Sequence, residues 1–451
     1  MVVEKKPENV NGKVSRRDFL KAGGAIIATA AVFGTLYSCG PKSSTTTSPT
    51  STSTSTFDPG TGKAYVGGNF SLTGAYAEDC AAALAAYQDY VKYVNETKKM
   101  APWRTETFPA GITLEVMWRD DELNVSKTLS LYDELKAAGL MMQKISGSAQ
   151  AQALIDRLNQ DNVAAVSQAT GPYLMTPPKT IFSYYPIYTD SLAAIADWFM
   201  VNWKGTGKPK VAYLTADSSL GKGIEVPELR AYLEQAGFEF IGSQYVPQPA
   251  TAPPTTQLLW LKERGVNLTL GAAVNPTTQP TIKEATRLGM GPNLEYKITF
   301  GFAAPSHLAV FTPAMGSAGD GTVVSGSFTP LDDLTSKGNQ FMKYLQDTYR
   351  PNARQTHILY AGGMLEVMSQ VEALRLALTK NTLTSLTPKI VLEQGFYQIK
   401  NLDTGDISAT PLTYGLGDIE GVDKATVHQQ QNGKVVLIGT YPLHHIYSAP
   451  K

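Results

Sequence analysis

Residues 63–96 read KAYVGGNFSLTGAYAEDCAAALAAYQDYVKYVNE, and this stretch sets the fold class. A short apolar run, Ala64-Tyr65-Val66, passes through Gly67-Gly68 into Asn69-Phe70-Ser71-Leu72-Thr73-Gly74. Leu84, Tyr87, Val91 and Val94 then recur at helical spacing. The reading is strand, loop, helix. Chain direction places the loop at the carboxyl end of its strand and the amino end of its helix, where free N–H groups and the positive dipole end favour polar or anionic ligands. Alone it is a common glycine-rich turn, and the rest of the chain must say whether it carries function.

The pattern repeats. Residues 112–118 (ITLEVMW) read as a strand ending in Arg119-Asp120-Asp121, and 124–138 as a helix with Val125, Leu129 and Tyr132 on one face and Gly139 as its stop. Residues 140–144 form a weaker strand, 149–160 a helix, and 163–166 a strand opening onto Ser167-Gln168-Ala169-Thr170-Gly171-Pro172. Thr176-Pro177-Pro178 and the aromatic run Phe182-Ser183-Tyr184-Tyr185-Pro186-Ile187-Tyr188 break the rhythm, which marks a first crossover between two lobes. A helix at 192–203 and a new series follow: strands at 211–215, 238–246, 268–272 and 296–300, with helices at 224–235, 258–264 and 277–288. Residues 321–326 are expected to return toward the first lobe, 343–349 and 357–378 to be helices, and the tail from Phe396 to hold strand-like pieces at 407–412 and 434–438. Such alternation implies α/β architecture with mostly parallel sheets covered on both faces and ligand sites at strand carboxyl ends.

At 451 residues with 43% hydrophobic and 9% aromatic composition, the chain has material for two cores. Lysine plus arginine and aspartate plus glutamate both number 39; beyond residue 38 the balance is 33 against 36. A faintly acidic body without a basic cluster excludes a nucleic-acid partner. Cys39 and Cys80 are the two cysteines. Cys39 falls in the export segment, so no internal disulfide is expected and stability must come from the cores.

The N-terminus carries an address. Ser15-Arg16-Arg17-Asp18-Phe19-Leu20-Lys21 precedes an apolar stretch at 22–37 of signal-peptide length and resembles a twin-arginine export signal. Leu36-Tyr37-Ser38-Cys39-Gly40 looks like a lipobox in which Cys39 would be lipidated, although Tyr37 is bulkier than usual there; plain cleavage and an uncleaved anchor are the alternatives. Residues 41–62, dominated by serine and threonine, read as a flexible polar tether. Together they imply an extracytoplasmic protein held to the membrane by an N-terminal lipid anchor.

With its loops in order, the chain resembles the Leu/Ile/Val-binding family of solute-binding proteins of ABC transporters. The match runs from about residue 63 to about 438. Phe70-Ser71-Leu72-Thr73-Gly74-Ala75-Tyr76-Ala77 resembles the family's first loop, and Asp120-Asp121 a recurrent pair after the second strand. Ser148 resembles the serine that binds a ligand carboxylate, and Ala169-Thr170 the pair that follows it. VAYLTADSSLGKG, residues 211–223, resembles the family's strand and Asp-x-x-Tyr-Gly-x-Gly loop. Thr404-Gly405-Asp406-Ile407 and Gln431-Asn432-Gly433-Lys434 resemble its C-terminal pieces.

The resemblance implies a two-lobe type I periplasmic-binding-protein fold with several hinge crossovers: first lobe at 63–187 and 325–395, second lobe at 188–324, and a C-terminal segment at 396–451 mainly on the second lobe, after the signal at 1–39 and the tether at 40–62. It implies a small-molecule ligand, and permease and ATPase subunits as partners. No cofactor is called for.

The ligand contacts it suggests are Ser148 and Thr170 for a carboxylate or carbonyl, with Ala169 beside Thr170; helix capping is the competing role of the two hydroxyls. Tyr76, Tyr185, Phe302 and Tyr360 are candidate cleft aromatics, each with core packing as its alternative. Leu220 stands where the family has a tyrosine. The loop Gly301-Phe302-Ala303-Ala304-Pro305 lacks the acid that amino-acid binders set against an α-ammonium, which argues against an ordinary branched-chain amino acid because a buried ammonium without a counter-charge costs several kcal/mol. Cys80 reads as a small helix residue beside Glu78 and Asp79.

An exported enzyme and a ligand-sensing subunit are the rival readings. His307, His357, His428, His444 and His445 are in no metal-ligand spacing, and neither a Walker A nor a GxSxG motif occurs.

Overall fold

The computed structural model describes residues 57–74, 76–175, 180–303, 314–331, 333–355 and 357–447. The twin-arginine segment, Cys39, the tether up to residue 56, Ala75, Thr176-Pro177-Pro178, Ala304-Pro305 and His307 lie outside the described residues.

The first lobe is built on β1 (Gly62–Phe70), α1 (Ala77–Thr97), β2 (Ile112–Asp120), α2 (Val125–Ala137), β3 (Met142–Ile145), α3 (Ser148–Asp161), β4 (Ala164–Ser167) and β5 (Ile181–Phe182). These strands pair in parallel, β1 with β2, β3 with β4 and β4 with β5. The glycines of the opening stretch explain how β1 fits between β2 and β3. Gly67 and Gly68 have φ of 132° and 144°, and a Cβ would stand 2.1 Å from the Met117 carbonyl oxygen at the first and 2.2 Å from the Lys144 backbone nitrogen at the second. A side chain at either position would push a neighbouring strand away.

The second lobe continues with α4 (Tyr188–Asn202), β6 (Lys210–Ala216), α5 (Ser219–Lys222), α6 (Pro227–Gln235), β7 (Glu239–Val246), α7 (Thr255–Glu263), β8 (Leu268–Gly271), α8 (Asn275–Arg287), β9 (Thr299–Phe302) and β10 (Val323–Gly326). Its seven-stranded sheet has the order β14-β13-β10-β9-β8-β6-β7, in which β13 (Lys424–Gln431) and β14 (Lys434–Pro442) form an antiparallel hairpin on a parallel core.

The chain returns to the first lobe for α9 (Lys337–Tyr349) and α10 (Leu359–Ala377). Helix α10 is apolar around most of its circumference because it is buried on all sides, packed against α1. A Cβ on Gly363 would lie 2.5 Å from Ala83 Cα, so glycine lets these helices touch backbone to backbone. Two of its buried polar residues tie it to the rest of the lobe: Glu372 pairs with Arg104 and Arg375, and Gln370 reaches β1.

The tail from Phe396 differs from the sequence expectation. Phe396 stacks on Phe182 of the first lobe, with ring centroids 4.9 Å apart. Residues 407–412 form only isolated bridges; the strands are β11 (Thr413–Gly415) and β12 (Asp418–Gly421), and β12 lies beside β5 through Ser183 N–H donating to Ile419 O at 2.7 Å. The tail joins the second lobe only at β13. Residues 323–326 likewise stay in the second lobe, because Val323 and Val324 pair with Gly301 and Phe302, and the return begins at Ser327.

Among the described residues the chain passes between lobes at 183–187, 326–328 and 421–424. These connections lie together, tied by Ser327 Oγ donating to Tyr184 O (2.8 Å) and Ile187 N–H donating to Glu420 Oε1 (2.9 Å).

Candidate functional site

The carboxyl ends of β1, β3, β4 and β8 converge on the gap between the lobes. The loop after β1 brings Tyr76 and, in the first turn of α1, Asp79. The turn after β3 brings Ser146, and the loop after β4 brings Gln168 and Ala169. The first crossover adds Tyr185 and Tyr188, the start of α10 adds Leu359, and the second lobe supplies Val274 at the start of α8. The space they enclose is about 20 Å³, close to the room one water needs. The lobes are shut on it.

Two buried hydroxyls beside this cavity close no hydrogen bond of good geometry. They belong to Ser148, which is 4% exposed, and Thr170, which is fully buried. Helix capping does not use them: α3 is capped at Gly147 without a side-chain bond, and Ser148 is its first residue. Both lie beside the Tyr188 hydroxyl, whose pKa burial raises and these neighbours pull back. Gln168 Oε1 is a third buried acceptor without a donor. Across the gap α8 begins at Asn275 with no side-chain cap, and Asn275 Oδ1 and Thr278 Oγ1 are also buried and unpartnered. Orphaned polar atoms at helix starts on two facing lobes are costly to a folded chain unless something binds them, at about 1–3 kcal/mol each. Burial pushes the Tyr76 and Tyr185 phenols well above their ordinary value, so both remain hydrogen-bond donors; Gln248, from the loop after β7, faces Tyr76.

Charge enters from two sides. Asp79 Oδ1 stands 2.8 Å from His357 Nε2. Ser146 Oγ accepts from Lys144 Nζ at 2.6 Å, and the fully buried Lys144 lies over the Phe70 ring, 4.8 Å from its centroid. Cys80 donates to the same Ser146 oxygen at 3.2 Å, and burial pushes its thiol up.

Of the residues singled out in the sequence, Tyr76, Ala169 and Tyr185 line the cavity and Ser148 and Thr170 flank it. Three are placed elsewhere. Leu220 is buried in the one-turn helix α5 and is not part of the cavity wall. Phe302 ends β9 with its ring in the second lobe's own core. Tyr360 points into the first lobe, where its hydroxyl donates to Asp89 at 3.0 Å; a step of one residue on α10 turns the chain and gives Leu359 the cavity instead. From the first lobe, Asp79 puts a carboxylate in the wall, where it pairs with His357. Asp79, Ser146, Gln168, Tyr188 and Val274 were not picked out. The available signal was position, since each lies in or just after the loop at a strand's carboxyl end or in the first crossover.

The model of a family described as periplasmic binding protein matches residues 63–404, about three-quarters of the chain. The chain belongs to the periplasmic binding protein family. A model of the twin-arginine translocation signal matches residues 13–33, so this periplasmic binding protein carries an export signal. No curated protein matches. Among solved structures, a branched-chain amino acid ABC transporter protein from Thermus thermophilus with bound valine aligns with a TM-score of 0.75 at 19% identity, covering 86% of this chain and 98% of that one. A fatty acid ABC transporter substrate-binding protein from Thermomonospora curvata gives 0.67 at 18%, covering 88% and 96%. A solute-binding protein of an ABC transporter from Rhodopseudomonas palustris in complex with 3,4-dihydroxybenzoic acid gives 0.67 at 17%, covering 84% and 98%. At these identities the likeness is one of fold, the type I periplasmic binding protein fold with two lobes and a cleft.

Proposed function

We propose that this periplasmic binding protein is an extracytoplasmic solute-binding lipoprotein, held at the membrane through Cys39, that captures a small organic ligand in the cleft and presents it unchanged to the permease and ATPase of an ABC importer. The ligand class that fits is amino-acid-like, an amide, or an aromatic or aliphatic carboxylate. The observation that carries this reading is the set of buried polar atoms that close no hydrogen bond of good geometry next to wall residues of both lobes, Ser148 Oγ and Thr170 Oγ1 beside Tyr188 and Asn275 Oδ1 following Val274, around a cavity walled by tyrosines. Donors and acceptors left unpaired by the protein are what a bound solute would pair.

A cavity of about 20 Å³ is far below the roughly 300 Å³ or more of an ordinary ligand pocket. Entry therefore requires the lobes to part about the three neighbouring connections, and contacts from both lobes then favour the shut form. The similar proteins, one with bound valine, one of a fatty acid transporter and one in complex with 3,4-dihydroxybenzoic acid, support a small organic solute. Mass spectrometry of the solute that co-purifies, followed by X-ray scattering with and without it, tests the reading. Compaction on binding is expected; an unchanged radius at saturation removes the closure mechanism.

A further inference from the structure

Lys144 is a cation in the interior of the first lobe with no carboxylate within ion-pair distance among the described residues. Its ammonium contacts are Ser146 Oγ (2.6 Å), Cys80 Sγ (3.8 Å) and the Phe70 ring. Ser146 is the outermost of these, for its residue lines the cleft cavity. The hydroxyl accepts from Lys144, and its own proton points to the Asn69 carbonyl over a long 3.3 Å contact. A hydroxyl polarised by an ammonium on one side is a strengthened donor toward an anion on the other.

We propose that Lys144, acting through Ser146, is the counter-charge for the head group of the solute, and that the head group is a carboxylate. This rests on the solute-binding reading above and narrows it by excluding neutral amides. The Ser146 proton leaves Asn69 O for the solute oxygen, so the chain runs from the ammonium through the hydroxyl to the carboxylate, while Ser148 and Thr170 supply further donors. Lys144 specifies the solute without touching it.

The residues around Lys144 agree. The carboxyl that offsets it at longer range is Glu366 on α10, fully buried and held by the Tyr184 hydroxyl at 3.1 Å. Burial raises Glu366 to about 7, with Lys144 opposing the rise. Titratable groups near it on the packed elements include Cys80, Tyr87 and the Asp79–His357 pair on the α1 side, and Tyr184 and Tyr185 in the first crossover, while Asp89 and Glu372, farther along α1 and α10, are paired with Arg350 and with Arg104 and Arg375. Burial keeps the thiol and phenols protonated, and Asp79 is engaged by His357. A solute carboxylate above Ser146 would replace Glu366 as the counter-ion, and Glu366 would take up a proton.

The test uses matched acid and primary-amide pairs, benzoate with benzamide, isovalerate with isovaleramide and leucine with leucinamide, titrated against the full mature protein by calorimetry and thermal shift. In the wild type an acid binds and its amide does not. Lys144→Met, which keeps the apolar stem, lowers the affinity for that acid at least tenfold. Glu366→Gln, which retains the acceptor for Tyr184, raises it several-fold at pH 8 and leaves it unchanged at pH 5, a pH signature that a purely structural role would not produce. Equal binding of acid and amide, unchanged affinity in Lys144→Met, or no pH-dependent gain in Glu366→Gln overturns the proposal and leaves solute binding standing. Should Lys144→Met fail to fold, Glu366→Gln decides. If no acid or amide binds and nothing co-purifies, the proposal and the solute-binding reading fall together.

Discussion

Gln370 closes two hydrogen bonds with the backbone of Gly67: its Nε2 donates to the Gly67 carbonyl at 3.1 Å and its Oε1 accepts from the Gly67 N–H at 2.8 Å. Helix α10 is thereby fastened to the strand that opens the first lobe, just before the loop that carries Tyr76. Both ends of the contact are buried. Gln370→Leu, of similar size, would leave the Gly67 N–H and carbonyl without partners. A loss of about 3 kcal/mol of unfolding free energy is expected, read from urea denaturation; a loss below about 1 kcal/mol would mean that water replaces the amide.

Gly68 is held more tightly still. Its φ of 144° and the Lys144 backbone 2.2 Å from where a Cβ would stand mean that Gly68→Ala must move β1 or β3. Overpacking and backbone strain together cost about 3 kcal/mol or more. Because β3 leads directly into Ser146 and Ser148, the variant should also lose solute affinity. Gly74→Ala is the contrast: nothing lies within 4 Å of its Cβ position, although its φ of 87° still carries strain, so its loss should be the smaller.

The strands were legible because buried parallel strands are nearly continuous apolar runs, and ITLEVMW or VAYLTA cannot be much else between two helical patterns. Tyr76, Ala169 and Tyr185 were legible as cavity residues for the same reason, since chain direction fixes which loops gather at strand carboxyl ends. Facing was harder to read. Tyr360 sits one residue from the cleft-facing Leu359 and Phe302 turns into the second lobe's core, and periodicity alone does not say which side of a fully buried element meets a ligand. Lys144, Glu366 and Gln370 were passed over because their roles depend on residues of other elements far away in the chain, Cys80 and Phe70, Tyr184, and Gly67. The shift of the tail to the first lobe also depends on a distant partner, the stacking of Phe396 on Phe182.

Ser148 and Thr170 separate affinity from stability. Their hydroxyl oxygens close no hydrogen bond of good geometry, with the Tyr188 hydroxyl alongside, so Ser148→Ala and Thr170→Val should change unfolding free energy by less than about 0.5 kcal/mol or raise it. A hydrogen bond to a charged group contributes about 1.5–3 kcal/mol, so each should weaken the co-purified solute about tenfold or more. Tyr360→Phe should do the reverse, costing about 1 kcal/mol through the lost bond to Asp89 while leaving affinity unchanged. Thermal denaturation and calorimetry on the three variants decide; a stability loss in Ser148→Ala equal to that in Tyr360→Phe would make the serine a structural residue.

Glu366 should leave a mark on the pH dependence of stability. Burial raises its carboxyl from 4.5 to about 7. An acid that holds its proton more tightly in the fold than in the unfolded chain favours the fold fully below about 4.5 and loses that contribution as pH climbs to about 7. The difference is worth about 3 kcal/mol. Glu366→Gln mimics the protonated form, so it should match the wild type near pH 4.5 and exceed it by up to about 3 kcal/mol at pH 8. His428 runs the other way: burial lowers it to about 4, so its neutral ring favours the fold above 6.5 and loses that contribution as pH falls toward 4. The two windows overlap and partly cancel in the wild-type curve. The quantity to measure is therefore the difference between variant and wild-type unfolding free energies at pH 4.5, 6 and 8, from urea titrations. A difference that grows with pH places the proton on Glu366; parallel curves would mean that the buried carboxyl titrates as it does in water.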